Sequence, residues 1–215
     1  MVIVLLGMPG CGKGTQASKL TKHYNIPQIS TGELFRKEIA NKTELGLLAQ
    51  SFIDKGRFVP DEVTIDMLKS RLAHDDCKRG YILDGFPRTI PQAEALDNIV
   101  DVDIAILIDV DEQEVRDRAL SRRTCEDCGE IYSIRTYDKD TCAKCGGKLY
   151  IRSDAYKTDE RIDTYNREAK PLVDYYREKG ILQVVDTREF VSDNVDEQIN
   201  GIFNRLIDLI GEIND

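Results

Sequence analysis

The strongest constraint on this chain lies in its first fifteen residues. Val2 to Leu6 reads VIVLL, an unbroken apolar run, and Gly7-Met-Pro-Gly10-Cys-Gly12-Lys13-Gly14-Thr15 follows at once. A short apolar run ended by glycine predicts a strand buried on both faces. The glycines let the backbone fold tightly, so several N–H groups converge on one place. A helix predicted from Lys13 to Tyr24 adds the positive end of its dipole there. Converging amides, a dipole and a lysine suit a phosphate group, which marks a phosphate-binding loop. A glycine-rich turn without a ligand is the weaker reading, because strand, loop, lysine and helix all occur in the required order. In the strict pattern a Ser or Thr follows the lysine; here Gly14 takes that place and Thr15 comes one residue later. Cys11 reads as a small filler of the loop rather than a nucleophile, since no histidine is near it in sequence.

Helix and strand signals alternate through the rest of the chain. Further strands are expected at 27–30, 81–84 (YILD), 104–110 (IAILIDV) and 181–185 (ILQVV). Apolar strands separated by helices imply an α/β three-layer fold, a five-stranded parallel sheet covered on both faces. Ligands of such a sheet collect at the carboxyl ends of its strands. Ser30 and Glu33 have capping-box spacing, which leaves Thr31 and Arg36 unexplained and able to face one ligand. Two short helices are expected up to about Lys55. Gly56-Arg57-Phe58-Val59-Pro60-Asp61 then breaks the pattern, and Asp61 is read as the cap of the next helix, with its stripe of Val63, Met67, Leu68 and Leu72. Asp84, at a strand end, suits either a turn cap or a carboxylate holding a magnesium-bound water. In Gly85-Phe86-Pro87-Arg88-Thr89 and beyond, Thr89 and Gln92 again have capping-box spacing, so Gln92 is either a cap or a ligand contact.

Asp111 with Glu114 is expected to open a helix carrying Arg116, Arg118, Arg122 and Arg123, with Arg118 and Arg122 on one face. Arginines on a helix usually mark a solvated face; their clustering next to a cysteine-rich segment favours an anion site. A helix from near Asp159 towards Lys179 should kink or break at Pro171. The last helix has Ile199, Ile202, Phe203, Leu206, Ile207 and Ile210 on one stripe. His23, His74 and Cys77 read as structural. Lys13, Arg36, Arg88, Arg122, Arg152 and Arg161 are expected to converge at the sheet edge, which suggests a ligand pair carrying many negative charges.

Residues 124 to about 158 differ in character, with little apolar periodicity and two knuckles, Cys125-x-x-Cys128 and Cys142-x-x-Cys145, thirteen residues apart. Such a segment cannot bury enough area to order itself. Four thiolates around zinc would supply the missing free energy, as a closed and therefore structural site. A redox dithiol is the weaker reading. No stretch is long enough to span a bilayer and the apolar start is too short for a signal peptide, so a cytoplasmic protein is expected, with thiols kept reduced. The net charge of −9 argues against coating nucleic acid.

The segments GMPGCGKGTQA (7–17), ISTGELFR (29–36), GRFVPDE (56–62), YILDGFPRT (81–89) and the two knuckles closely resemble adenylate kinase of the long form with a zinc-bearing lid. The resemblance spans the chain, and in that family glycine is the normal residue after the loop lysine. It implies reversible transfer of a phosphoryl group from MgATP to AMP, giving two ADP. It further implies a core at 1–29, 60–121 and 160–215, an AMP-binding flap at 30–59 and a zinc lid at 122–159. On matching positions, Gly10, Cys11, Gly12, Lys13, Gly14 and Thr15 would hold the ATP phosphates, with Arg118, Arg122, Ile131, Tyr132 and Arg188 as further ATP contacts. Thr31, Arg36, Arg57, Phe58, Val59, Gly85, Phe86, Pro87, Arg88, Gln92, Arg152 and Arg161 would hold AMP. Lys13, Arg88, Arg122, Arg152, Arg161 and Asp84 would carry the reaction, and a monomer is expected. Rival readings are a kinase of another nucleoside monophosphate, such as UMP/CMP, a GTP-dependent AMP kinase, and a phosphate-loop or zinc-ribbon module that binds nucleic acid.

Overall fold

The computed structural model describes residues 1–192 and 194–212, without the Asp154 side chain. In chain order the elements are β1 (Val2–Leu6), α1 (Lys13–Tyr24), β2 (Gln28–Ser30), α2 (Thr31–Ala40), α3 (Glu44–Ile53), α4 (Asp61–Leu72), β3 (Tyr81–Asp84), α5 (Ile90–Asp97), β4 (Ile104–Asp109) and α6 (Glu112–Ser121). There follow β5 (Arg122–Cys125), β6 (Ile131–Ser133), β7 (Leu149–Tyr150), α7 (Thr158–Thr164), α8 (Pro171–Glu178), β8 (Leu182–Asp186) and α9 (Val195–Ile210).

Five strands form one parallel sheet in the order β2-β3-β1-β4-β8, as the alternation of signals requires. The central strand explains its own sequence. Val2, Val4 and Leu6 face a core shared with Leu68 of α4, Leu96 of α5 and Leu172 and Tyr176 of α8. Ile3 and Leu5 face the other way, onto Ala17 and Leu20 of α1 and Ile202 and Leu206 of α9. A strand covered on both sides has no polar face, so it reads as a continuous apolar run. Ile3 and Leu5 are at most 2% exposed, and burying each is worth about 1.5–3 kcal/mol. The stripe of α9 packs as expected, with Ile202, Leu206 and Ile210 innermost.

Two local expectations change. Asp111 is the N-cap of α6 but makes no side-chain cap; its carboxylate instead accepts from Arg188 Nη1 at 3.4 Å. α6 ends at Ser121, and Arg122 is extended (φ −69°, ψ 139°), so Arg118 and Arg122 do not share a helix face. Pairing with β6 draws Arg122 and Arg123 into a strand. The helical run breaks at Pro171 as expected: Tyr165–Ala169 widens to a π-helix with Lys170 N–H donating to Tyr165 O (2.8 Å), and α8 restarts with the proline in its first turn.

Two subsidiary units project from the sheet. α2 and α3 close on their own small core of Phe35, Ala49 and Val59. The cysteine segment forms an antiparallel sheet in the order β6-β5-β7, with an isolated bridge between Thr141 and Lys148. Its strands have two to four residues, too few for periodicity to register, and its apolar core is little more than Cys125, Cys142 and Leu149 flanked by Tyr132 and Tyr137. Among the described residues no helix is long and apolar enough to cross a membrane.

Candidate active site

The loop after β1 is shaped by contacts on all sides. A Cβ at Gly7 (φ 141°) would lie 2.6 Å from the Ile108 carbonyl oxygen and 2.8 Å from Cys11 Sγ, so only glycine lets the chain turn this tightly against β4. Cys11 is buried and fills the loop, as read from sequence. Lys13 Nζ donates to the carbonyls of Gly7 (2.6 Å) and Met8 (2.9 Å), drawing the loop around its ammonium group. Gly12 caps α1 without a side chain, and the first turn holds no acidic residue, which suits that helix end to an anion. Arg118 reaches over the loop from α6: Nη1 donates to Cys11 O (3.1 Å), while Nε donates to Glu114 (2.7 Å), which fixes its direction.

Asp84 ends β3 beside this loop, its Oδ2 3.6 Å from where a Gly14 Cβ would stand. Gln28 Nε2 donates to the same oxygen at 2.9 Å. Across the next turn the carbonyl of Gly85 accepts from both Thr31 Oγ1 and Arg88 Nε, each at 2.7 Å. The Arg88 guanidinium lies over the Phe58 ring, 5.1 Å from its centroid. Phe86 and Pro87 are buried beneath, joined by a cis peptide bond. Gln92 is buried as well; its N–H donates to Thr89 Oγ1 (3.3 Å), while its side chain takes part in a separate network, accepting from Arg88 N–H (2.8 Å) and donating to Asp61 (2.7 Å).

Arginines gather around this centre. Burial, together with the positive charges of Arg161 and Arg36, pulls the Arg88 pKa down to about 10, against the opposing pull of Asp84. Arg161 in turn lines one cleft with Arg122, Arg152, Ala119 and Ala155. Arg161 is thus common to both groups, acting on Arg88 together with Arg36 and sharing a cleft with Arg122 and Arg152. A gathering of arginines of this kind suits an anionic ligand.

Other expected residues are placed less directly. Val59 is buried in the α2–α3 core, and Arg57 is exposed with its N–H donating to Phe52 O (3.0 Å). Thr15 is exposed on α1. Ile131 is exposed, whereas the Tyr132 hydroxyl turns to Cys142 Sγ (3.2 Å) and accepts from Ala143 N–H (3.1 Å), supporting the cysteine cluster. Arg188 is engaged by Asp186, Asp109 and Asp111 at the carboxyl ends of β8 and β4. Asp61, read as the cap of its own helix, instead joins Thr89 and Gln92. From sequence, Gln28 reads only as part of a strand, and Asp61 and Glu114 only as helix-start residues, because a polar side chain in a short strand or first helical turn carries no mark of the group it will hold.

Cys125, Cys128, Cys142 and Cys145 bring their sulfurs within 4.8 Å of one another. Cys125 to Cys145 is 3.4 Å and Cys128 to Cys142 is 3.6 Å. Four thiolates around one ion with metal–sulfur bonds of about 2.3 Å would lie about 3.8 Å apart, so the set fits a tetrahedral metal site.

A parallel sheet covered on both sides, with a phosphate loop at the carboxyl end of its central strand and Arg118 laid over that loop, defines a phosphate-loop nucleotide-binding protein of the α/β class. Comparison with known proteins narrows this. The family model for adenylate kinase matches residues 5–181. Adenylate kinase of Clostridium tetani is 44% identical over 224 residues, covering all of both chains. Those of Clostridium perfringens and Clostridium beijerinckii are 44% and 45% identical, each covering 98% of this chain and 99% of the relative. The chain belongs to the adenylate kinase family.

Proposed function

We propose that this protein transfers the terminal phosphoryl group of MgATP to AMP, reversibly, giving two ADP. The observation that carries this is the shared position of Arg161, which belongs both to the group around Arg88 and to the cleft with Arg122 and Arg152. Two phosphate-bearing ligands on one arginine set would have their phosphates end to end. Phosphoryl transfer asks little covalent chemistry of the protein; it asks for in-line positioning and for charge placed where it develops.

In this reading the loop amides of residues 10–15, with Lys13, hold the donor phosphates, and Arg118 lies against the donor nucleotide. Lys13 exchanges its carbonyl partners for phosphate oxygens. Arg36 and Arg88 bind the acceptor phosphate, Thr31, Gly85 and Gln92 line the acceptor, and Arg122, Arg152 and Arg161 stabilise the moving group. The segment 57–59, Phe86 and Pro87 shape the acceptor subsite through backbone and packing. Ile131, Tyr132 and Arg188 are further donor contacts. Asp84, a carboxylate beside Gly14, suits a magnesium-bound water; magnesium, when bound, screens the phosphate charge.

The four cysteines would hold zinc as a structural ion, since all four coordination positions are filled by protein. Residues 122–159 act as a lid and 30–59 as a flap on a core of 1–29, 60–121 and 160–215. Closure of such a lid is an established behaviour of adenylate kinases, and it excludes water that would otherwise accept the phosphoryl group. A four-thiol site requires reduced cysteines, which favours the cytoplasm. We read the protein as a monomer, testable by light scattering. Production of ADP from ATP plus AMP, across a panel of nucleoside tri- and monophosphates, tests the assignment. Preference for UMP, CMP or a GTP donor would replace it with a related kinase.

A further inference from the structure

We propose that Asp61 is a positioning residue of the acceptor subsite, holding Gln92 and Thr89 and through them the turn that carries Arg88. This rests on the acceptor assignment of Arg88 and Gln92 made above.

Asp61 is the first residue of α4, separated by Pro60 alone from the proposed 30–59 flap. Its carboxylate reaches across to the start of α5 rather than serving its own helix. Oδ2 accepts from Thr89 Oγ1 at 3.0 Å and Oδ1 accepts from Gln92 Nε2 at 2.7 Å. Gln92 Oε1 accepts from the Arg88 N–H at 2.8 Å, and Thr89 Oγ1 accepts from the Gln92 N–H at 3.3 Å. These four bonds join the first turn of α4 to the residues from Arg88 to Gln92. Gln92 is 1% exposed, so few other partners are open to its amide.

The chemistry permits one arrangement. An ionised carboxylate only accepts and a backbone N–H only donates, so the Gln92 amide must turn its nitrogen to Asp61 and its oxygen to Arg88. Without the carboxylate the amide nitrogen loses its acceptor, and the Arg88 N–H alone is left to hold the side chain in that orientation. A negative charge is also favoured here, because it lies at the N-termini of both α4 and α5. Arg88 is anchored on the other side by Nε donating to Gly85 O, so the turn is held at two points. Asp61 supplies the anchor that comes from outside the turn, and it stands where the flap rejoins the sheet.

The test is a comparison of wild type with Asp61→Ala, Asp61→Asn, Gln92→Ala and the Asp61→Ala/Gln92→Ala pair in steady-state ADP formation, with melting curves. Asp61→Ala is expected to lower kcat/KM for AMP roughly ten- to a hundredfold, the scale of an ångström-sized misplacement. The KM for ATP should stay within about twofold, since an independent site feels little. Asn keeps the shape and one acceptor oxygen, so it should recover part of the loss, and it serves where the alanine protein does not fold. The paired variant should lose less than the product of the two single losses, because Asp61 acts in part through that amide. A normal AMP dependence in Asp61→Ala, an equal rise in both KM values, or full additivity of the pair would overturn the proposal. If wild type itself forms no ADP, the functional reading fails first; if wild type is active and the variants behave normally, only the role of Asp61 fails.

Discussion

Gly85→Ala is the substitution whose consequences the geometry sets most tightly. Gly85 has φ 80°, and a Cβ there would lie 2.6 Å from Arg88 Nη2 and 3.3 Å from Thr31 Oγ1. The first contact is with the end of a flexible side chain, so Arg88 moves rather than the fold collapsing. The backbone penalty of a left-handed alanine is about 1–2 kcal/mol. At about 2–4 °C per kcal/mol for a chain of this size, the melting temperature should fall by about 2–8 °C. Activity should fall much further. Arg88 is fixed by Nε donating to the carbonyl of Gly85 itself, so a displaced guanidinium also loses its anchor. Misplacement on the ångström scale costs about a hundredfold in transfer. A coupled assay of ADP formation, read beside a melting curve in the absence of nucleotide, separates the two effects. A Gly85→Ala protein with wild-type turnover would refute the claim that crowding at this glycine sets the position of Arg88.

Arg88→Met should lower turnover on the order of 10²–10³-fold, yet leave the nucleotide-free protein at least as heat-stable as wild type, because a partly desolvated charge and its repulsion with Arg161 and Arg36 are gone; a lowered melting temperature would contradict this. Removing metal from the four-cysteine site, verified by metal analysis, should lower the melting temperature more than it slows the reaction at low temperature; an unchanged melting curve would show that the ion is not structural. Leu5→Ala, at a side chain only 2% exposed, should cost about 2–5 kcal/mol in chemical denaturation. AMP at a hundred times its dissociation constant should stabilise the protein by about 2.7 kcal/mol, measured as a rise in melting temperature.

Much of the fold was legible because two-faced burial writes itself into a strand as unbroken hydrophobicity. β1, β3 and β4 declared themselves in this way, and the phosphate loop declared itself through its glycines, of which Gly7, Gly10 and Gly12 have a positive φ. The thiol spacing marked the cysteine site. Less legible was the cysteine segment's own sheet, whose strands of two to four residues are too short to carry a period. The end of α6 was misplaced for a related reason: arginines at helical spacing look helical until strand pairing with β6 claims the last two.

The amino-acid order alone determined which side chains must be buried, where the phosphate loop lies, and which four sulfurs could share an ion, because each depends on neighbours close along the chain. Only the tertiary structure decided that Arg161 stands between two groups of arginines, that Gln28 steadies Asp84, and that Asp61 serves α5 rather than α4. Hydrogen bonds and like-charge contacts act over a few ångströms between residues far apart in sequence, and local propensity contains no term for them.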